Sequence, residues 1–172
     1  MPFWTVLPIC GQSNTMHASL DAIMRLTHFT DLSLRLLMYL AIKSDELATI
    51  QEVAERYGVS RNHLMKVTQG LVKYGFVAST RGNKGGLRLQ RPSAEIRVGD
   101  VVRATEDDFR LVECFEAGRS SCTLLSACRL RGVLGEALAA YLAVLDRYTL
   151  EDLTVPNHPM RRVLGLPEAR AA

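Results

Sequence analysis

The chain has 172 residues, the length of one domain, with 48% hydrophobic and 23% charged side chains, so it can build a core and is not a disordered chain. No apolar run approaches the roughly 18–20 residues of a membrane span, and four cysteines are too few for a disulfide scaffold. The net charge of +3 is unevenly spread: residues 24–92 hold 11 Lys or Arg against 5 Asp or Glu, residues 93–172 hold 10 against 12, and residues 1–23 hold one acid, Asp21. A first half at net +6 joined to a mildly acidic remainder points to a polyanion-binding module with a second part attached. Solvated surface charge can give the same asymmetry, so the motifs must decide.

Residues 1–23 have no Lys or Arg, which removes the positive flank of a secretory signal, and Pro8 interrupts their short apolar run. They read as a disordered tail or as the product of a start codon set too far upstream, with Met16 as another start. From residue 31 to 42, Leu32, Leu36, Leu40 and Leu34, Leu37, Ala41 recur at helical spacing with a broad buried face. Thr49-x-x-Glu52 is a capping box and opens a short helix over 50–57. Gly58 supplies a tight turn. Ser60 then caps a second helix whose inner stripe is Leu64, Val67 and Leu71, ending near Tyr74 and Gly75. Residues 76–80 and 87–90 read as two strands around the loop Arg-Gly-Asn-Lys-Gly-Gly, residues 81–86. Helix, turn, helix and basic hairpin in that order make a winged helix-turn-helix over 24–92, closed by Pro92.

Residues 93–128 read as a connector with a short helix over 98–105, a solvated turn at Glu106-Asp107-Asp108, and a cysteine-bearing loop. A long helix follows, roughly 127–148, with the stripe Leu130, Leu134, Ala137, Tyr141, Leu145 and Tyr148 and with Val133, Leu138 and Leu142 beside it. Twenty-two residues at about 1.5 Å each span about 33 Å. A helix of that length and width suits pairing with a copy of itself across residues 129–155, and packing back on its own domain is the alternative. Thr149-x-x-Asp152 starts a last short helix, and residues 156–172 read as a flexible tail. The fold class expected is mainly α with a small β-hairpin wing.

The second helix of the winged module begins Ser60-Arg61-Asn62-His63 and continues to Lys66, the part that enters a major groove. Arg61 can donate twice to a guanine edge and Asn62 suits an adenine edge. Ser60, His63 and Lys66 suit phosphates. In the wing, Arg81, Asn83, Lys84 and Arg88 suit backbone or minor-groove contact. Any one of these residues alone is an ordinary surface side chain; together, on this architecture, they read as a surface for double-stranded DNA.

Cys114, Cys122 and Cys128 lie within 15 positions, while Cys10 sits in the first segment without a role. Structural zinc sites favour pairs two to four residues apart. Gaps of eight and six positions suit a loop wrapped around an iron–sulfur cluster, each thiolate binding one iron and leaving a place for another ligand. Zinc, or three ordinary buried cysteines, are the alternatives. No Ser/His/Asp set, nucleotide loop or paired catalytic carboxylate stands out, and His17, His28, His63 and His158 are scattered, so an enzyme is not expected.

The stretch Met24-Arg-Leu-Thr-His-Phe-Thr-Asp31-Leu-Ser-Leu-Arg, the helix-turn-helix, the wing Arg-Gly-Asn-Lys-Gly-Gly-Leu-Arg-Leu and the three-cysteine loop together resemble the bacterial iron–sulfur winged-helix repressors. The resemblance covers about residues 24–155 and is strongest toward the nitric-oxide-sensing branch. In the cluster-biogenesis branch a His three residues after the third cysteine is a ligand; here that position is Arg131. The nitric-oxide-sensing branch instead uses an Asp near the start of the first helix, supplied by the other subunit, and Asp31 is the matching residue. The bland reading of Asp31 is an acid in the first turn of a helix, where the dipole favours it.

The resemblance thus implies a cytoplasmic, homodimeric transcriptional repressor holding a [2Fe–2S] or [4Fe–4S] cluster through Cys114, Cys122, Cys128 and Asp31. It would bind a palindromic operator, respond to nitric oxide, and have no membrane partner. A redox or cluster-biogenesis regulator of the same family, or a zinc-stabilised DNA-binding protein without a sensing role, are the alternatives.

Overall fold

The computed structural model describes residues 25–44, 46–82, 85–116 and 122–167. The expectations for residues 1–23, and for Asn83 and Lys84 in the wing, lie outside the described residues. Helix α1 spans His28–Ile42, α2 Ile50–Tyr57 and α3 Arg61–Lys73. Strands β1, Val77–Thr80, and β2, Gly86–Leu89, follow. Helix α4 spans Val98–Thr105, α5 Arg129–Asp146, α6 Leu150–Thr154 and α7 His158–Val163.

Helix α1 begins three residues before the expected 31 because Thr27 caps it, its hydroxyl accepting from the Thr30 amide at 3.2 Å. Its inner face, Leu32, Leu36, Leu37, Tyr39, Leu40 and Ile42, is the centre of the core. Thr49 and Glu52 form the expected capping box at α2, and Gly58 closes that helix in the left-handed region at φ 62°. Leu64, Val67 and Leu71 of α3 pack inward as the spacing predicts. Ser60 occupies the N-cap position but its hydroxyl makes no capping bond, contrary to expectation.

The wing strands pair antiparallel in the register Val77 to Leu89 and Thr80 to Gly86. The chain before α2 adds a third line to this ribbon: Ala48 and Leu87 exchange both backbone bonds, at 3.0 and 2.8 Å. Gly86 permits that approach, since a Cβ there would lie 2.8 Å from Leu47 Cβ. The wing is thereby anchored to the core.

The first part of the expected connector packs into the core. Ile96 and Val101 lie fully buried in the same core as α1, and α4 and α6 both pack on α1. Backbone bonds from Val98 N to Tyr148 O, and from Leu150 N to Ile96 O, both 2.9 Å, join the two segments. Helix α5 is shorter than expected by two residues at each end and contains no buried residue. Its apolar surface is divided: Leu134, Leu138, Leu142 and Leu145 are half-buried, whereas Leu130, Val133, Tyr141 and Val144 are exposed.

The expected loose tail over 156–172 is corrected as far as residue 167. Helix α7 is held by Arg161, 8% exposed, which donates to the carbonyls of Ile42 at 2.5 Å and Pro167 at 2.6 Å. Leu166 joins the core. No described helix is long and apolar enough to cross a membrane.

Candidate nucleic-acid interface and cysteine segment

Burying Leu64, Val67, Thr68 and Leu71 leaves the opposite face of α3 exposed, with Arg61, Asn62, His63, Met65, Lys66 and Gln69 on it and Ser60 at its start. The nominated residues Ser60, Arg61, Asn62, His63 and Lys66 therefore share one surface. Gln69 is an addition; it follows Met65 and Lys66 by one turn, so the same helical spacing could have found it. With no capping side chain, the first-turn amides of α3 are available to an anion.

In the wing, Arg81 and Arg88 are exposed. Arg91, just past β2, instead lies 5.2 Å over the Phe76 ring, a cation–π contact at the base of the hairpin.

His63, expected to contact phosphate, is exposed and also lies beside the start of α1. Its ring meets that of His28 edge to face at 6.0 Å. One residue on, Phe29 rests on α3 at Gly70, where a Cβ would lie 2.7 Å from Phe29 Cζ. The start of α1 is thus seated on the exposed-face helix. It is also tied to the end of α4. Glu106 accepts from the Thr27 amide at 2.7 Å and from its hydroxyl at 3.1 Å, so it joins the two elements at the surface, while Asp107 and Asp108 are exposed as expected of a solvated turn.

Asp31 lies in the first turn of α1, where an acid is favoured by the helix dipole. Its carboxylate accepts from Arg35 Nε at 3.0 Å and pairs with Arg35 Nη2 at 2.8 Å, with both side chains exposed. Cys114 falls in a single 3-10 turn, Glu113–Phe115, and Cys128 is the N-cap residue of α5. Cys122 is exposed at the start of the described segment that leads to it. None of the three is in a disulfide. Among the described residues no group of three His, Cys, Asp or Glu side chains is gathered closely enough to hold a metal ion, so the structure brings neither the three thiols nor Asp31 together.

A second network stiffens the helix-turn-helix. Glu52 Oε1 accepts from Tyr39 Oη at 2.7 Å and Lys43 Nζ at 2.6 Å, joining α1 to the cap of α2. Burial works against the Glu52 charge, yet the bonds from Lys43, Tyr39 and the Thr49 amide outweigh it and hold the carboxyl below its ordinary range. Burial likewise pushes the Tyr57 hydroxyl up to about 12.

Residues 26–156 match the Rrf2 family, described as iron-dependent transcriptional regulators. The HTH-type transcriptional regulator NsrR of Bacillus subtilis is 48% identical over 146 residues, covering 84% of this chain and 100% of that protein. The regulator of the same name from Bacillus licheniformis is 49% identical over 143 residues, covering 83% and 100%. Among solved structures, T. potens IscR superposes with a TM-score of 0.63 over 85% of this chain and 94% of that one, at 22% identity, a likeness of fold alone. The oxidised form of Staphylococcus aureus CymR gives 0.61 over 77% and 97%, at 26% identity. The two Bacillus relatives are named as transcriptional regulators. A mostly helical chain with a two-stranded wing, matched over residues 26–156, therefore belongs to the Rrf2 family of winged-helix transcriptional regulators.

Proposed function

We propose that this chain is a cytoplasmic repressor that binds a palindromic operator as a homodimer and senses nitric oxide through an iron–sulfur cluster. The observation that carries the reading is the 48% identity to a regulator named NsrR over that protein's whole length, together with three cysteines kept out of disulfides between residues 114 and 128. The donor set fits the group: three soft thiol ligands on a segment that ends at a helix N-terminus, where the dipole favours anionic ligands. Cys114, Cys122 and Cys128 would hold the cluster, with Asp31 contributed across the dimer. When bound, the cluster supplies iron that reacts with nitric oxide.

The rest falls to the protein. Asp31 shares the first turn of α1 with His28 and Phe29, which rest on α3. An Asp31 carboxylate that exchanged Arg35 for an iron held by the other subunit would fix the start of α1, and with it the pose of α3. Release of that carboxylate returns it to Arg35 and frees the joint, an order change at an interface. On α3, Arg61 and Asn62 would read base edges, while Ser60, His63, Lys66 and the wing residues Arg81, Asn83, Lys84 and Arg88 would contact phosphates or the minor groove. Pairing falls to α5, an 18-residue helix with no buried residue, whose exposed Leu130, Val133, Tyr141 and Val144 recur at three- to four-residue steps with Ala137 between.

The test uses protein purified without oxygen. Iron, sulfide and the visible spectrum are measured, then operator binding is followed during a nitric-oxide titration. Cys122→Ser should remove the spectrum and specific binding. Asp31→Asn should keep a cluster held by three cysteines but uncouple its state from DNA affinity. Iron and sulfide near zero in the wild type, or operator affinity indifferent to nitric oxide, overturns the proposal.

A further inference from the structure

The joint between the reading domain and α5 has an unusual composition. Helix α5 packs on α4, and α4 in turn packs on α1. Where α4 and α5 meet, Arg103 donates from Nη1 to Asp146 Oδ1 at 2.7 Å and from Nη2 to Asp146 Oδ2 at 2.5 Å, a two-pronged pair across 43 positions of chain. Asp100, one turn earlier on α4, stands 3.8 Å from the same guanidinium. Gly99 completes the contact: a Cβ there would overlap the Asp146 carboxylate and crowd the Arg103 guanidinium, so a side chain at residue 99 would displace the ends of this pair.

A planar guanidinium gripping a carboxylate fixes direction as well as distance, which greasy packing does not. Both partners remain about a third or more exposed, at 40% and 32%, so the pair adds little to stability and its value is geometric.

We propose that Arg103, Asp146 and Gly99 are specificity-determining residues for operator half-site spacing. This inference rests on the reading that α5 pairs two copies. Because α5 bears the pairing stripe and α4 carries the domain that presents α3, the angle at this joint sets the separation and rotation of the two α3 helices. Two-fold readers place their recognition helices about one helical turn, or a multiple, apart on DNA. A helix of about 27 Å levers a small change at its root into a large change at the far reading head. No residue of the joint needs to touch DNA for it to select spacing.

The experiment selects binding sites from a library of random duplexes about four helical turns long, using the full-length dimer, and reads the distribution of half-site spacings. The wild type should select one spacing, with a one-base-pair change costing about tenfold in affinity. Arg103→Leu and Asp146→Asn should stay dimeric by sedimentation and keep wild-type affinity for a single half-site. Their spacing preference should flatten to within about threefold. The exchange R103D with D146R should restore a single preferred spacing, which a general loss of folding would not allow. Gly99→Ala should move or broaden the preference in the same assay. If the variants keep the wild-type profile, or become monomeric, the inference is wrong. If the wild type itself selects no paired half-sites, the dimeric-repressor reading fails instead.

Discussion

Replacing Glu52 tests whether the helix-turn-helix is held by one carboxylate. Tyr39 is 0% exposed and Glu52 is 26% exposed at its side chain, so the cluster they form with Lys43 is largely out of water. Glu52→Gln keeps the shape and one acceptor but removes the charge that Lys43 faces. A hydrogen bond to a charged group contributes about 1.5–3 kcal/mol net, and part of it survives with the amide, so the expected loss is about 1–2 kcal/mol. Glu52→Ala also removes half the capping box and leaves the Tyr39 hydroxyl buried without this acceptor, for a total of about 2–4 kcal/mol. For a chain of this size that lowers Tm by about 5–15 °C.

The pH dependence has a definite sign. The folded-state pKa of Glu52 lies below its ordinary value, so its contribution is fully present above the unfolded value of about 4.3 and is lost as pH falls through the folded one. The gap between wild type and Glu52→Gln should therefore narrow as the pH drops below about 4.3. Urea unfolding of metal-free protein at one fixed concentration, at neutral and acid pH, measures both effects. A Glu52→Gln loss under about 0.5 kcal/mol at neutral pH, or a gap that does not change with pH, refutes the reasoning.

Arg61→Ala should relax base preference and cost about 1–3 kcal/mol in operator affinity, whereas Lys66→Ala should weaken binding to all sequences alike and reduce the salt slope by about one; gel-shift titrations at several salt concentrations separate them. Arg161→Met should remove one buried and one part-buried hydrogen bond and cost about 2–3 kcal/mol, with amide-exchange protection lost first in α7. Gly70→Ala gains about 1 kcal/mol of helix propensity but must displace Phe29, so a net loss of about 1 kcal/mol is expected, recovered when Phe29→Leu is added in a double-mutant cycle.

Much of the winged module was legible in sequence because its signals are local. A Thr and a Glu three residues apart write the start of α2, and a Gly at residue 58 writes its end. The periodicity of Leu64, Val67 and Leu71 fixes which side of α3 is buried, and therefore that Arg61, Asn62 and Lys66 are exposed. The span Val98–Thr105 and the Thr149 capping box were equally plain. Each rests on hydrogen bonds or spacings within one or two turns of helix, so a short window holds all the information.

Tertiary structure decided what spans long stretches of chain. Helix α7, with only six residues and two arginines, shows no apolar period; it is ordered by one arginine reaching a carbonyl 119 positions away. Glu106 looks like one acid among three, and only folding brings it 79 positions back to Thr27. Ser60 has the right residue type and position for a cap but makes no capping bond. The α5 stripe read as one surface because periodicity reports that side chains are apolar, not what covers them; packing on α4 and beside residues 106–111 divided it into a half-buried side and an exposed one. Short-range hydrogen-bonding chemistry is written in adjacent residues. Partners that meet only after collapse are not, because their pairing depends on where the whole core places each element.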